Sequence, residues 1–224
     1  MKDIAFLPKP KKVKFAAKNL NLNHSTAICI DSSCGDDALL PAYQLADSIQ
    51  AAGLPRPAVM RLSQSGRVMV GAIVLRLERK AKDAEGYELS VSREGIAISG
   101  NSSAGLYFGV QTLRQLIRQC GLSLPCCEIK DSPDYPVRGF YLDCTRGKVQ
   151  TLTTLMGIVE TLAHYKINHF QLYIEHSFAF RSHADLWGGC DPLTHEDILR
   201  LDAHCRQHHI DFVPSLSTFG HMHG

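Results

Sequence analysis

The chain has 224 residues, of which 45% are hydrophobic and 21% charged, and its formal net charge is +2. This is the profile of a globular protein, and so balanced a charge argues against a nucleic-acid partner. No apolar run approaches the ~18 residues of a membrane-spanning helix. The short apolar run 4–7 ends at Pro8 and is too short for a signal peptide. We therefore expect no membrane partner, no secretory signal and a cytoplasmic location.

The cysteines are consistent with that expectation. The chain has eight of them, irregularly spaced and without a C-x-x-C pair. In a chain with no export signal, this pattern predicts reduced, mostly buried thiols.

Residues 1–120 predict alternating strands and helices. Five lysines between Lys9 and Lys18, interrupted by Pro10, are interpreted as a solvated, partly ordered arm. The apolar spacing predicts strands at 26–31, 68–77, 87–92 and 95–100, the last two forming a hairpin. It predicts helices at 39–52 and 104–119, the second ending at Gly121.

A change in composition at 126–136, rich in proline and aspartate, indicates a linker or domain entry. Beyond it the pattern becomes a regular alternation of strand and helix. Strands are predicted at 137–144, 167–174 and 210–214, and helices at 151–165 and 194–208. The second helix has Thr194 as N-cap and Asp197 three residues on. Such an alternation predicts a parallel sheet with right-handed crossovers.

Two longer segments match a known family in order and spacing. One runs from Glu85 to Leu116 and contains IAISGNSSAGLYFGVQTLRQL, and the other is DSPDYPVRGFYLDCTR at 131–146. Shorter matches follow at 165–170 and 213–221. Over these residues the sequence resembles family 20 glycoside hydrolases, the β-N-acetylhexosaminidases.

The resemblance implies an α/β protein with two domains. Residues 1–130 would form a zincin-like α+β accessory domain, and 131–224 the N-terminal portion of a catalytic (β/α)₈ TIM barrel. A complete barrel needs about 250 residues, so only about three strands fit. Because an open parallel sheet leaves unpaired edges, we expect a truncated chain. The zincin likeness is one of shape: the near match to His-Glu-x-x-His at 195–199 lacks the second histidine, and neither a metal nor another cofactor is predicted.

The resemblance also assigns residues to the C-terminal ends of the strands, where barrel enzymes hold their reacting groups. Arg146 matches the family arginine that hydrogen-bonds hydroxyls of the terminal sugar, with Asp143 beside it. The structural alternative is an ion pair between the two. His221 matches the histidine that supports the acid/base carboxylate. After the second strand the sequence departs from the family pattern, and either Glu175 or His176 takes the place of an aspartate.

Two further features are open to structural explanations. Arg138, at the start of the first barrel strand, is expected to have a structural role. Tyr173, Phe178, Phe180 and Trp187 form either an aromatic platform for a sugar ring or ordinary loop packing.

The catalytic pair itself is missing from the pattern. Hydrolysis in this family is substrate-assisted. The acetamido oxygen attacks the anomeric carbon, while an Asp-Glu pair after the fourth strand orients the amide and protonates the leaving oxygen. The adjacent acidic pairs here, 36–37 and 196–197, lie in a turn and at a helix start. We therefore expect the chain alone to be inactive.

Three hypotheses follow. The first is a β-N-acetylhexosaminidase-like hydrolase whose partner is an N-acetylhexosamine glycan. The second is a carbohydrate-binding or self-assembling half-barrel module that associates through its open edge. The third is another glycosidase with the same layout, of the α-glucuronidase type.

Overall fold

The computed structural model describes residues 4–63, 69–78 and 83–217. It divides into two compact units, 1–134 and 135–224. Each unit contains its own sheet. No helix within the described ranges combines the length and the apolarity needed to cross a membrane.

The first unit is built on a seven-stranded mixed sheet. In chain order the strands are β1 (Lys12–Asn21), β2 (Ile28–Ile30), β3 (Val59–Arg61), β4 (Ile73–Leu77), β5 (Tyr87–Ser92), β6 (Gly95–Gly100) and β7 (Ser123–Asp131). Their order across the sheet is β1-β7-β5-β6-β4-β2-β3. Pairing is antiparallel from β1 to β6 and parallel from β6 to β3. The predicted hairpin of β5 and β6 is confirmed.

Two helices, α1 (Leu39–Ala51) and α2 (Ser103–Cys120), pack on each other and on the sheet. The Ser102 hydroxyl caps α2 by accepting from the Gly105 amide, and Gly121, at φ 65°, ends the helix as predicted. Leu106, Val110 and other apolar side chains of α2 are buried with the inward residues of β5 and β6. Each such side chain contributes about 1.5–3 kcal/mol on burial, which makes this layer the core of the unit.

The prediction of a solvated N-terminal arm is wrong. Lys12, Lys14 and Lys18 lie in β1, which pairs antiparallel with β7 along most of its length. β1 is an edge strand, and most of its side chains are exposed. Lysines on an edge strand discourage pairing with other chains. These lysines are therefore part of the sheet and do not form a separate arm.

The predicted linker at 126–136 is also wrong in its first half. Residues 126–131 belong to β7, which lies between β1 and β5, with Cys127 and Ile129 buried and Glu128 and Lys130 exposed. This alternation is typical of a strand.

The strand predicted at 68–77 is shorter than expected, because a turn at Gly71, with φ 84°, precedes β4. Val68 lies outside the described residues. The strand β3 had no counterpart in the sequence prediction.

The second unit contains a three-stranded parallel sheet, as the alternating pattern predicts. Its strands are β8 (Gly139–Asp143), β9 (His169–Ile174) and β10 (Asp211–Leu216), with β9 in the middle. The connecting helices are α3 (Leu152–His164), the short α4 (Ala184–Trp187) and α5 (His195–Gln207). The predicted N-cap of α5 is confirmed, because Thr194 and Asp197 form a reciprocal capping box.

The core of the second unit is small. Phe170 and Leu172 of β9 are fully buried, together with Leu155 and Val159 of α3 and Leu201 of α5. The predicted burial of the cysteines is confirmed, because six of the eight are buried.

Candidate functional site

Polar side chains meet where β8 and β9 end. Asp143 is the last residue of β8 and lies opposite Tyr173 of β9, and Glu175 directly follows β9. Because the strands are parallel, their carboxyl ends share one edge of the sheet. Side chains that are distant in sequence can therefore lie close together at this edge.

Arg146 joins the two strand ends. Its Nη1 lies 3.0 Å from Asp143 Oδ2 and its Nη2 lies 3.1 Å from Glu175 Oε1. The Arg146 side chain is 56% exposed, whereas that of Glu175 is only 16% exposed. The two carboxylates thus orient the guanidinium, and its remaining donors are open to solvent. We call Asp143, Arg146 and Glu175 the strand-end cluster.

Hydrogen bonds from the loop after β8 fix this geometry. The Thr145 amide donates to Asp143 Oδ1 at 2.8 Å, a local turn that Asp residues favour. The Glu175 amide donates to Thr145 Oγ1 at 2.9 Å, and the Ser177 hydroxyl donates to the Cys144 carbonyl at 2.8 Å. The loop is therefore attached to the end of β9, and Arg146 extends from a constrained backbone.

Tyr173 completes the surroundings of Glu175. Its hydroxyl donates to Glu175 Oε1 at 2.6 Å, and the Arg146 guanidinium carbon lies 5.9 Å from its ring centre. The hydrogen bond to the Glu175 carboxylate raises the pKa of Tyr173, while Ser217, after β10, acts in the opposite direction. Sequence reasoning considered Tyr173 only as part of an aromatic platform and missed this role.

The Glu175→Gln substitution should lower the pKa of Tyr173 toward its ordinary value of about 10. The Glu175 carboxylate favours the neutral phenol of Tyr173 and thereby stabilises the folded state. This stabilisation is present below about pH 10 and is lost as the pH rises through the raised pKa of Tyr173. NMR titration of ring-labelled tyrosine, assigned with Tyr173→Phe, measures the shift. Glu196→Gln, at an exposed glutamate of α5, is the matched control. An unchanged midpoint in Glu175→Gln would contradict the assigned contact.

The sequence-predicted site residues divide into three groups. In the first group, Arg146 contacts both Asp143 and Glu175. It forms the ion pair with Asp143 that was the structural alternative, and its side chain is nevertheless exposed to solvent. His176 is exposed, and among the described contacts its side chain does not join the strand-end cluster. His221 lies outside the described residues.

The loop aromatics contact one another and neighbouring residues between β9 and α5. Phe178 and Phe180 meet edge to face with ring centres 5.0 Å apart, and Trp187 Nε1 donates to the Phe180 carbonyl at 3.1 Å. Tyr173 is separate from them, in β9, stacked on Tyr141. This arrangement favours loop packing over a platform that includes all four rings.

Arg138 lies at the other end of β8, just before the strand begins. Its Nε donates to the Lys166 carbonyl at 2.8 Å and its Nη1 to the Tyr135 carbonyl at 3.0 Å. These backbone contacts are consistent with the structural role expected for it.

The fold is that of a glycoside hydrolase. Residues 3–132, more than half of the chain, match the family model described as glycosyl hydrolase family 20, domain 2. The chain therefore belongs to glycosyl hydrolase family 20, which favours the first of the three hypotheses.

Individual relatives agree with this assignment. A β-N-acetylhexosaminidase of Cellulomonas fimi is 30% identical over 82% of this chain and 37% of its own length. A β-hexosaminidase of Vibrio furnissii is 26% identical over 97% of this chain and 38% of its own length. The solved N-acetyl-β-hexosaminidase of Streptomyces plicatus, in complex with Thio-NAglucal, superposes with a TM-score of 0.82 at 26% identity, over 96% of this chain and 46% of that one. The chain thus spans less than half of each protein.

Proposed function

We propose that this chain supplies the accessory domain and the first three barrel strands of a β-N-acetylhexosaminidase. In this proposal the first unit is the zincin-like domain, and β8, β9 and β10 begin a (β/α)₈ barrel. The observation that carries it is the placement of Arg146 between two carboxylates at adjacent strand ends. A further support is that a mutant of the S. plicatus enzyme has been solved with its product GlcNAc.

The strand-end cluster would bind the non-reducing sugar. A guanidinium with donors open to solvent can hold two neighbouring hydroxyls, because its N–H groups form a fixed fork. Asp143 and Glu175 fix its orientation, so less side-chain entropy is lost when the sugar binds. Glu175, rather than His176, would take the place of the family aspartate, since Glu175 contacts the arginine. His221 would support the acid/base carboxylate.

Hydrolysis would need groups that these 224 residues do not provide. The acetamido oxygen of the substrate is the nucleophile in this family, and an Asp-Glu pair orients it and protonates the leaving oxygen. One adjacent acidic pair of this chain lies in the 3₁₀ turn 36–38, and in the other, in the first turn of α5, Asp197 is engaged in the capping box with Thr194. We infer that Arg146 binds sugar here without a general acid.

The chain assayed alone should not release 4-nitrophenol from 4-nitrophenyl N-acetyl-β-glucosaminide. The S. plicatus enzyme, assayed in parallel, is the positive control. Turnover by the purified chain that is lost in Glu175→Gln would show that a carboxylate of this chain acts as the acid, contrary to the proposal.

A chimera tests the binding role directly. Joining this chain to the remaining barrel strands of the S. plicatus enzyme should restore hydrolysis, because the missing carboxylate pair is then present. In this chimera, Arg146→Ala should lower kcat/KM at least ~10-fold, since a charged hydrogen bond contributes about 1.5–3 kcal/mol. Arg200→Ala, at an exposed arginine of α5, should leave kcat/KM unchanged. Equal kcat/KM for both variants would show that Arg146 does not bind the sugar.

A further inference from the structure

A second group of chemically reactive side chains lies on the helices of the second unit. It consists of Glu160 on α3, His204 on α5, and His208 at the C-terminal cap of α5. One potential ligand atom from each residue lies within 4.8 Å of the others. His204 and His208 are four residues apart, a spacing that places two side chains on the same helix face.

One atom of this group is left unsatisfied. The Nε2 of His204 is buried and, among the described residues, has no hydrogen-bond partner. Burying a polar nitrogen in this way costs free energy, so such an atom calls for a partner. Its nearest ion-pair contact is Glu160 Oε1 at 3.7 Å, beyond hydrogen-bonding distance.

That separation suits a shared cation. Zinc bonds of about 2.0–2.1 Å in a tetrahedral site place neighbouring ligand atoms roughly 3.4 Å apart. The Glu160 side chain is 61% exposed, so its carboxylate can adjust by the few tenths of an ångström required. The two imidazoles have ring centres 4.4 Å apart, which keeps both within reach of one ion.

The contacts of His208 favour the tautomer that can bind a metal through Nε2. Its Nδ1 lies 2.8 Å from the His204 carbonyl, which can only accept a hydrogen bond. Nδ1 therefore carries the proton, and the neutral ring has its lone pair on Nε2. Metal-binding histidines commonly donate their other N–H to a backbone carbonyl in this manner.

We propose that Glu160, His204 and His208 bind one divalent transition-metal cation of the zinc type and thereby join α3 to α5. Two imidazoles and one carboxylate suit zinc, whereas magnesium and calcium prefer oxygen ligands throughout. The site is independent of the proposed hydrolase activity. Its third ligand comes from a different helix, so the sequence alone predicted no metal here.

Neighbouring Cys205 is a poor competitor for the ion. Its side chain is fully buried, and its sulfur is not among the ligand atoms that lie within 4.8 Å of one another.

Titration of the metal-free, reduced 224-residue chain with Zn²⁺ tests the site. We expect one tight equivalent and a rise in melting temperature, because a ligand that binds only the folded state stabilises it. Mg²⁺ should produce neither effect. His204→Gln and Glu160→Gln should each weaken zinc binding at least ~10-fold, since even outer-shell changes cost 10- to 100-fold. Glu160 is exposed, so its variant should fold even if His204→Gln does not.

Matched controls distinguish this site from adventitious binding at other histidines. His183→Gln and Glu196→Gln, both at exposed positions, should bind zinc as the parent does. X-ray absorption of the one-equivalent complex should show nitrogen and oxygen ligands at about 2.0–2.2 Å and no sulfur near 2.3 Å. Sulfur ligation, or zinc binding that is unchanged in Glu160→Gln, would overturn the proposal.

Discussion

Replacing Phe170 by alanine is expected to lower the free energy of unfolding of the second unit by about 3–5 kcal/mol. Phe170 lies in the middle strand β9 and is fully buried. Its ring is 6.3 Å from that of Phe140 in β8 and 5.9 Å from that of Phe212 in β10. Truncation therefore leaves a cavity lined by both neighbouring strands, in a unit whose core is small.

Denaturant unfolding followed by tryptophan fluorescence measures this change selectively. Trp187 is the single tryptophan of the chain and lies in the second unit, so its signal reports on that unit. Phe140→Ala is the matched control: Phe140 is the register partner of Phe170 but is 40% exposed, and its loss should cost about 1 kcal/mol. Equal destabilisation by the two variants would place the core of the unit elsewhere.

The elements that were predicted from the sequence are those whose signals are local. The hairpin of β5 and β6 and the helix α2 follow from period-2 and helical spacing within a few residues, and Thr194 caps α5 through a neighbour three residues away. The strand β1 gives no such signal. Its partner β7 lies more than 100 residues later, and its own side chains are mostly exposed. Only the pairing distinguishes β1 from a charged arm.

The strand-end cluster was predictable in part for a similar reason. Adjacent parallel strands bring Asp143, Arg146 and Glu175 together once the strands are placed, so the residues could be named in advance. The choice between Glu175 and His176 could not be made from sequence. Successive residues of an extended chain point to opposite sides, and a one-residue uncertainty in where β9 ends reverses the assignment. Tyr173 and Glu175 are two residues apart and lie on the same side of an extended chain, but Tyr173 was considered only as part of an aromatic platform.

Replacing Gly105 by alanine should destabilise the first unit by about 3 kcal/mol, although alanine favours helices. Gly105 lies in the first turn of α2, where an added Cβ would come 2.3 Å from the Gly86 carbonyl oxygen and 3.0 Å from that of Ala84. Both atoms belong to backbone, so no side-chain rotation can relieve the clash. Helix and turn would have to separate, and overpacking of this kind costs about 1–3 kcal/mol or more.

Gly157→Ala provides the opposite result in the same chain. Gly157 lies inside α3, and an added Cβ would meet nothing within 4 Å. Here only the higher helix propensity of alanine acts, so the free energy of unfolding of the second unit should rise by about 0.5–1 kcal/mol. Thermal unfolding followed by circular dichroism and by Trp187 fluorescence separates the two units. If Gly105→Ala also stabilises the chain, α2 does not approach the turn at 84–86 as closely as the structure places it, and the packing of the first unit must be reconsidered.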